Sequence, residues 1–403
     1  MNATAVVTAG PRVTYASIVW GQLRKNGVAI FGLWSIAALF LLAIYAPLLC
    51  LDVPLLLINT DGVRLPILPA LFNRLLFENA VDIFFNLLLV ASPFYLVTVG
   101  LARRRQISWT RLLLALGAFH LVAFAAITPE RLAGLRNPLH HTASLVNWEA
   151  VVVEPTVTAV FPLYPQNYRA TEPSQSVRPP SRQHWLGTDV EGRDVFARLL
   201  YGTRISLTIG VVAVSIFVAI GVVLGALAGY LGGRADLWIS RLIEVMICFP
   251  SFFLILTLAA LVQERSIFHV MIIIGITSWT GVARLVRAEF LKQKTLDYVQ
   301  AARALGLSRQ RIIFRHILPN AMAPVLVTAT FGVASAILIE SSLAFLGIGD
   351  PSAPSWGALL NTGRIEQQLW LILVPGFAIF FVVSVFNLVG EGLRDALDPQ
   401  LRI

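Results

Sequence analysis

The chain has 403 residues, of which 57% are hydrophobic and 13% charged, and its mean hydropathy is +0.76. This excludes an ordinary soluble domain and suits a protein dissolved in a bilayer, where each span takes about 20 apolar residues. The formal charge of +9 is dispersed, so it argues topology rather than nucleic-acid binding. Residues 1–27 carry no short apolar run with a small-residue cleavage site, so they read as an uncleaved polar arm. Arg24 and Lys25 end that arm and mark its cytoplasmic flank. Residues 28–49 form the first predicted span, and the Pro-rich segment 50–79 an external loop. Ala80 to Leu101 and Leu112 to Thr128 are two more spans. They are joined by the basic turn Arg103, Arg104 and Arg105, which the positive-inside rule places in the cytoplasm. This hairpin, 80–128, holds few residues that chemistry needs and is expected to pack outside the core. Cys50 and Cys248 stand alone in apolar surroundings and read as buried structural thiols.

The segment 129–202 reads as external. Val151 to Val160 is β-prone within it, and the adjacent His140 and His141 face different ways on any regular element, a poor metal pair. The string HWLGTDVEGRDVFARLLYGTRISLTIG runs from His184 to Gly210. Gly187 and Gly192 bracket turns there, Thr188 or Asp189 bonds nearby backbone, and Asp194 to Tyr201 is expected as an amphipathic helix at the outer interface. The remaining spans, within a core 203–403, are Ile205–Tyr230, Ile243–Val262, Ile267–Leu285, Ala321–Phe345 and Leu369–Val389. Gly221, Gly225 and Gly229 recur every four residues and offer one close-packing face. A turn containing Gly232, Gly233, Arg234, Asp236 and Arg241 follows. Glu244 lies near the cytoplasmic end of the next span, and Pro250 kinks or breaks it. Glu340 sits at membrane depth, where a charge costs about 2.5–3.5 kcal/mol on insertion scales, so it must meet a wet cavity or a partner. Both a pathway role and a structural cap near the interface fit it. His120 and His269 are the histidines of the spans, near helix ends and without evident partners.

The most charged stretch in this apolar chain is DYVQAARALGLSRQRIIFRHILPN, Asp297 to Asn320, within a loop 295–320. Thr295 is the expected N-cap of a first short helix with Asp297 in its first turn, where the helix dipole favours an acid. Gly306 stops that helix in a left-handed conformation. Ser308 caps a second helix through Arg309, Arg311 and Arg315, expected to end before Pro319.

This stretch resembles the coupling loop of ABC importer permeases, whose pattern is Glu-Ala-Ala, three residues, Gly, then Ile-Leu-Pro. Gln300, Ala301, Ala302, Gly306, Ile317, Leu318 and Pro319 take those places, with Gln300 standing for the Glu. Gly187, Thr188, Asp189, Gly192, Arg193 and Asp194 are similar to a second signature, that of the dipeptide, oligopeptide and nickel importers, and Trp185 stands where those proteins usually have Pro. The resemblance implies an all-α polytopic membrane protein of about eight spans, a type I importer permease core with the hairpin added. It implies a peptide, or else nickel or another small solute, as cargo. The implied partners are a second permease, two ATPase subunits and an external substrate-binding protein. Asp297, Gln300, Ala301, Ala302, Gly306, Arg309, Arg311, Leu318 and Pro319 would then couple to the ATPase. The chain would bind no cofactor, ATP and Mg being used by the ATPase subunits. No G-x-x-x-x-G-K-[ST] loop occurs in it, so it is expected not to be an enzyme. A bacterial cytoplasmic membrane with both termini inside is the expected location. A secondary transporter would repeat its halves, and no second Ala-Ala…Gly…Leu-Pro pattern occurs.

Overall fold

The computed structural model describes residues 15–398 apart from 61, 74, 105–107, 128–147, 149–157 and 264. Arg105, His140, His141 and most of the β-prone run therefore lie outside the described residues. Helix α1 (Tyr15–Leu23) leads into α2 (Gly27–Leu49), the first expected span. Asn26 caps α2 by accepting from the amides of Val28 and Ala29, both at 3.1 Å. A short α3 (Ile67–Ala70) precedes the hairpin of α4 (Ala80–Arg104) and α5 (Trp109–Ile127). Then come α6 (Val195–Leu231), α7 (Gly233–Cys248), α8 (Ser251–Leu261), α9 (Ile267–Thr277) and α10 (Thr280–Gln293). The chain continues through α11 (Asp297–Ala304), α12 (Arg309–Ile312), α13 (Leu318–Phe345), α14 (Trp356–Glu366) and α15 (Leu369–Leu397). Among the described residues, seven helical stretches are long and apolar enough to cross a membrane. The pair α7–α8, bent by 82° at Pro250, makes an eighth if it is one span.

The glycine face of α6 packs as its spacing predicts. A Cβ on Gly225 would lie 2.5 Å from the Ala283 carbonyl oxygen, and one on Gly221 2.6 Å from Val282, so these glycines let α10 approach to backbone contact. The helix itself begins ten residues before the expected span. The interfacial helix Asp194–Tyr201 does not exist as a separate element: it is the first two turns of the 37-residue α6. Gly202 lies inside this helix with the indole of Trp356 packed over it, where any Cβ would sit 2.5 Å from the ring nitrogen. Nearly every residue from Val195 to Gly210 is buried within the chain.

A small sheet accompanies the helical architecture. Strands β1 (Leu56–Asn59), β2 (Gly62–Arg64) and β3 (Thr158–Val160) form an antiparallel sheet in the order β2-β1-β3, with Leu57 opposite Arg64 and Ala159. The sheet adjoins a second core of Cys50, Leu51, Leu71, Phe77, Tyr168 and Tyr201, built where the segments around 50–79 and 158–194 meet the start of α6. Cys50 is buried as expected, but Cys248, at the end of α7, is exposed.

The basic flanks gather at the opposite end. Ala29 at the start of α2 touches Gly392 near the end of α15, and Lys294 after α10 donates to the Gly229 carbonyl near the end of α6, 3.0 Å. Helix α4 runs towards that end from Asn79, whose amide donates to the Ser352 carbonyl at the far side. Trp356 is buried and is a poor reporter of orientation; Ser181 is exposed. In a cysteine-free background, Arg104→Cys should resist an impermeant thiol reagent in intact cells while Ser181→Cys is labelled. Labelling at 104 from outside would overturn this orientation of the hairpin.

Candidate functional site

The stretch after α10 is a compact knob. Thr295 does not cap it: its hydroxyl donates backwards to the Lys292 carbonyl, 2.8 Å. Leu296 occupies the cap position, which leaves Thr295 one residue too early to reach the first free amides of α11. Val299 and Ala302 are buried against the chain, whereas Asp297, Gln300, Ala301 and Ala304 are exposed and Leu305 is 80% exposed. Gly306 has φ +74°. Around it the Leu307 amide reaches the Ala302 carbonyl and the Gly306 amide reaches that of Arg303, the paired bonds of a left-handed helix stop. Ser308 then caps α12 by accepting from the Arg311 amide, 3.4 Å.

The second arm does not end before Pro319. A π-turn at Ile313–Ile317 joins α12 to α13, giving one continuous stretch from Arg309 to Phe345. Pro319 lies in the first turn of α13, where its missing N–H and its demand on the carbonyl four residues back are met by the widened turn before it. Leu318, Ile312 and Ile317 face inwards in part or fully, while Arg309 and Arg311 are exposed. Two contacts at the root of the knob escape sequence reading. Tyr298 donates its hydroxyl to Gln293 Oε1 at 2.6 Å and accepts from Asn320 Nδ2 at 3.3 Å, which ties the two ends of the loop. Gln300 turns its amide back to the Lys294 carbonyl, 3.1 Å, so this position presents no anion.

The second signature forms a closed knot. Asp194 caps α6, its Oδ1 accepting from the Ala197 amide at 2.8 Å, while Oδ2 accepts from the Tyr164 hydroxyl and pairs with His184 Nδ1 at 2.9 Å. Asp189 accepts from the amides of Glu191 and Arg193 and from the Arg193 guanidinium at 2.8 Å. Thr188 accepts from the Arg178 amide and donates to the Gln175 carbonyl. Thus both Thr188 and Asp189 bond backbone, as anticipated. Gly187 and Gly192 have φ +77° and +74°, and a Cβ on Gly192 would fall 1.9 Å from the Glu172 carbonyl oxygen. Burial, then the bond to Asp194, pushes the Tyr164 phenol up, keeping it a donor. Burial likewise pushes the Cys50 thiol up, which keeps it protonated and inert.

Glu340 is buried and accepts from Ser355 Oγ at 2.8 Å; Ser355 in turn caps α14 through the Gly357 amide. Its surroundings are thus the interior of this chain. Glu244 is exposed and pairs with Arg241 one turn earlier. His120, expected to lack a partner, is buried mid-helix with Nδ1 2.9 Å from the Tyr95 hydroxyl and its ring edge-on to Phe84. The hairpin is also less detachable than its composition implies. Asp82 of α4 pairs with Arg204 of α6 at 2.9 Å, and both are buried. Arg204 Nε donates to the Ala43 carbonyl at 2.7 Å and the Tyr168 hydroxyl donates to Asp82 at 2.9 Å. Helix α5, by contrast, packs on α4 and buries little besides His120.

Residues 221–403 match the family model described as "Binding-protein-dependent transport system inner membrane component", and residues 14–54 that of the "N-terminal TM domain of oligopeptide transport permease C". Over 239 residues the chain is 42% identical to a dipeptide transport system permease protein of Alkalihalophilus pseudofirmus, covering 59% of this chain and 78% of that one. Over 266 residues it is 39% identical to an oligopeptide transport system permease protein of Haemophilus influenzae, covering 64% and 84%. Over 226 residues it is 42% identical to a glutathione transport system permease protein of Pectobacterium atrosepticum, covering 55% and 75%.

Proposed function

This chain belongs to the permease family of binding-protein-dependent ABC importers, and from that premise we propose that it carries peptides inward across a bacterial cytoplasmic membrane. It is a multi-pass membrane protein of a family of transport subunits rather than enzymes. The names of its relatives support short peptides as cargo. The observation that carries the mechanism is the knob: an apolar tip of Ala301, Ala304 and Leu305, stopped by Gly306 and continuous through Arg309 and Arg311 with the long helix α13. In this reading two ATPase subunits hydrolyse Mg-ATP, and one of them receives Asp297 to Arg311 in a groove. Leu318 and Pro319 pass the displacement to α13. A second permease completes the pathway, and an external binding protein delivers cargo to the end that carries the knot of Thr188, Asp189, Arg193 and Asp194. Glu340 acts as a structural anchor for α14. A ligand shifts such a two-state machine only by binding its two states unequally.

Proteoliposomes holding the four membrane-associated subunits and the binding protein test this. Labelled di- and oligopeptides should accumulate only when ATP is supplied and only with binding protein present. ATP-driven uptake of nickel or another solute with no peptide uptake would overturn the cargo. Gradient-driven flux without ATP would overturn the mechanism.

A further inference from the structure

The hairpin 80–128 is outside both family matches, and its cytoplasmic-side tip carries a feature that the transport reading does not use. Arg103 and Arg104 close α4, and Arg111 lies in the first turn of α5. All three are exposed, and none has an ion-pair partner among the described residues. No Asp or Glu occurs between Asp82 and Glu130 in the sequence, so the whole tip is cationic. The Arg103 guanidinium lies over the Trp109 ring, 5.2 Å from its centre, and Trp109 is itself 48% exposed. A second stack, Arg24 over Trp20 at 5.3 Å, stands at the same end of the bundle on α1. Above the tip, Leu113, Leu114, Leu121 and Val122 of α5 are open on the outside.

We propose that this tip is a binding site for anionic phospholipid, with Arg103, Arg104 and Arg111 holding the phosphate and α5 lying along the acyl chains. The geometry fits that ligand at both of its ends. Indoles prefer the headgroup level, and an arginine stacked on an indole keeps its edge donors free for phosphate oxygens. Cations held just outside the hydrocarbon gain from the negative leaflet, each by about fivefold in binding. The apolar wall of α5 continues where acyl chains would run, so headgroup and tail are recognised by adjoining surfaces. A protein neighbour instead would need acidic residues of its own, and phospholipid retention would then be indifferent to the three arginines.

The purified permease, in mixed vesicles of phosphatidylglycerol in excess phosphatidylcholine, is extracted gently and weighed intact by mass spectrometry to count retained lipids. Wild type should keep phosphatidylglycerol selectively. Replacing Arg103, Arg104 and Arg111 together by Gln should lower its retention at least tenfold, whereas the triple Lys variant keeps most of it. Insertion of each variant is checked by labelling at Ser181→Cys. Wild type supplies a second measurement that no misfolding can spoil. Raising salt from about 0.1 to 1 M shortens the screening length from about 10 Å to about 3 Å and should release the lipid. Retention that ignores both salt and the Gln substitutions overturns the site. Retention lost only when α5 is made polar, with the arginines intact, also overturns it, because the headgroup then contributes nothing.

Discussion

Replacing Asp82 by Leu should destabilise the protein more than any other single polar substitution described here, by about 3–5 kcal/mol, the range for breaking a buried pair from one side. The acid is fully enclosed, and so is Arg204, which it meets at 2.9 Å. Without Asp82 the guanidinium keeps the Ala43 carbonyl and its positions over Tyr201 and Phe85, but it loses its ion-pair partner among the described residues. Tyr168 loses the nearer of its two hydroxyl acceptors as well, keeping only the Leu76 carbonyl at 3.4 Å. The double variant Asp82→Leu with Arg204→Met should recover most of the loss, because two apolar chains of similar volume carry no desolvation penalty. Thermal unfolding of the four members of this cycle in detergent checks the coupling, which is absent if the double variant is no better than Asp82→Leu alone. The same logic applies to removal of the hairpin. Deleting 80–128 preserves the parity of the later spans, yet it leaves Arg204 buried and alone. The shortened protein should therefore accumulate poorly unless Arg204 is replaced too.

That pair marks where sequence reading stops. Features set by neighbours along the chain were legible: the apolar run of α2, the Pro250 break, the four-residue glycine face of α6 and the left-handed stop at Gly306. Each depends on local periodicity or on one residue's backbone freedom. Asp82 and Arg204 are 122 positions apart, and neither carries a local mark of its partner, so the hairpin looked like an addition rather than a strut. His120 lost its partner for the same reason, since Tyr95 lies across the hairpin on α4. The second core was hidden because its members come from short irregular segments around 50–79 and 158–194, which have no period to read. Helix ends misled in another way. Pro319 looks like a stop, but a π-turn after Ile312 carries the helix past it. Thr295 had the right side chain one residue too early. In the candidate site, the spacing of Ala301, Ala302, Gly306 and Pro319 marked the loop, while the backward turn of Gln300 to the Lys294 carbonyl and the Tyr298–Asn320 tie needed coordinates.

Gly306→Val should abolish most uptake while leaving the membrane core intact. At φ +74° a β-branched residue pays about 1–2 kcal/mol, which lowers the population of the native stop by a factor of about 5–30. Among the described residues, none beyond its chain neighbours lies within 4 Å of the position a Cβ would take, so the free subunit is not crowded and its melting should hardly change. What is lost is the turn itself: the amides of Gly306 and Leu307 no longer reach Arg303 and Ala302, and α11 leaves its angle to α12. The knob would then meet its groove in the wrong shape, so both substrate-stimulated ATP hydrolysis and uptake should fall about tenfold, in line with that lost population. Gly306→Asn separates the causes, since Asn tolerates the left-handed region far better than Val. If the Asn variant transports and the Val variant does not, backbone conformation is the requirement. If both fail with normal assembly, the groove has no room for a side chain at this position, and the knob still transmits. Normal stimulation and uptake in Gly306→Val would mean that Asp297 to Asn320 is not the element that passes motion from the ATPase to α13.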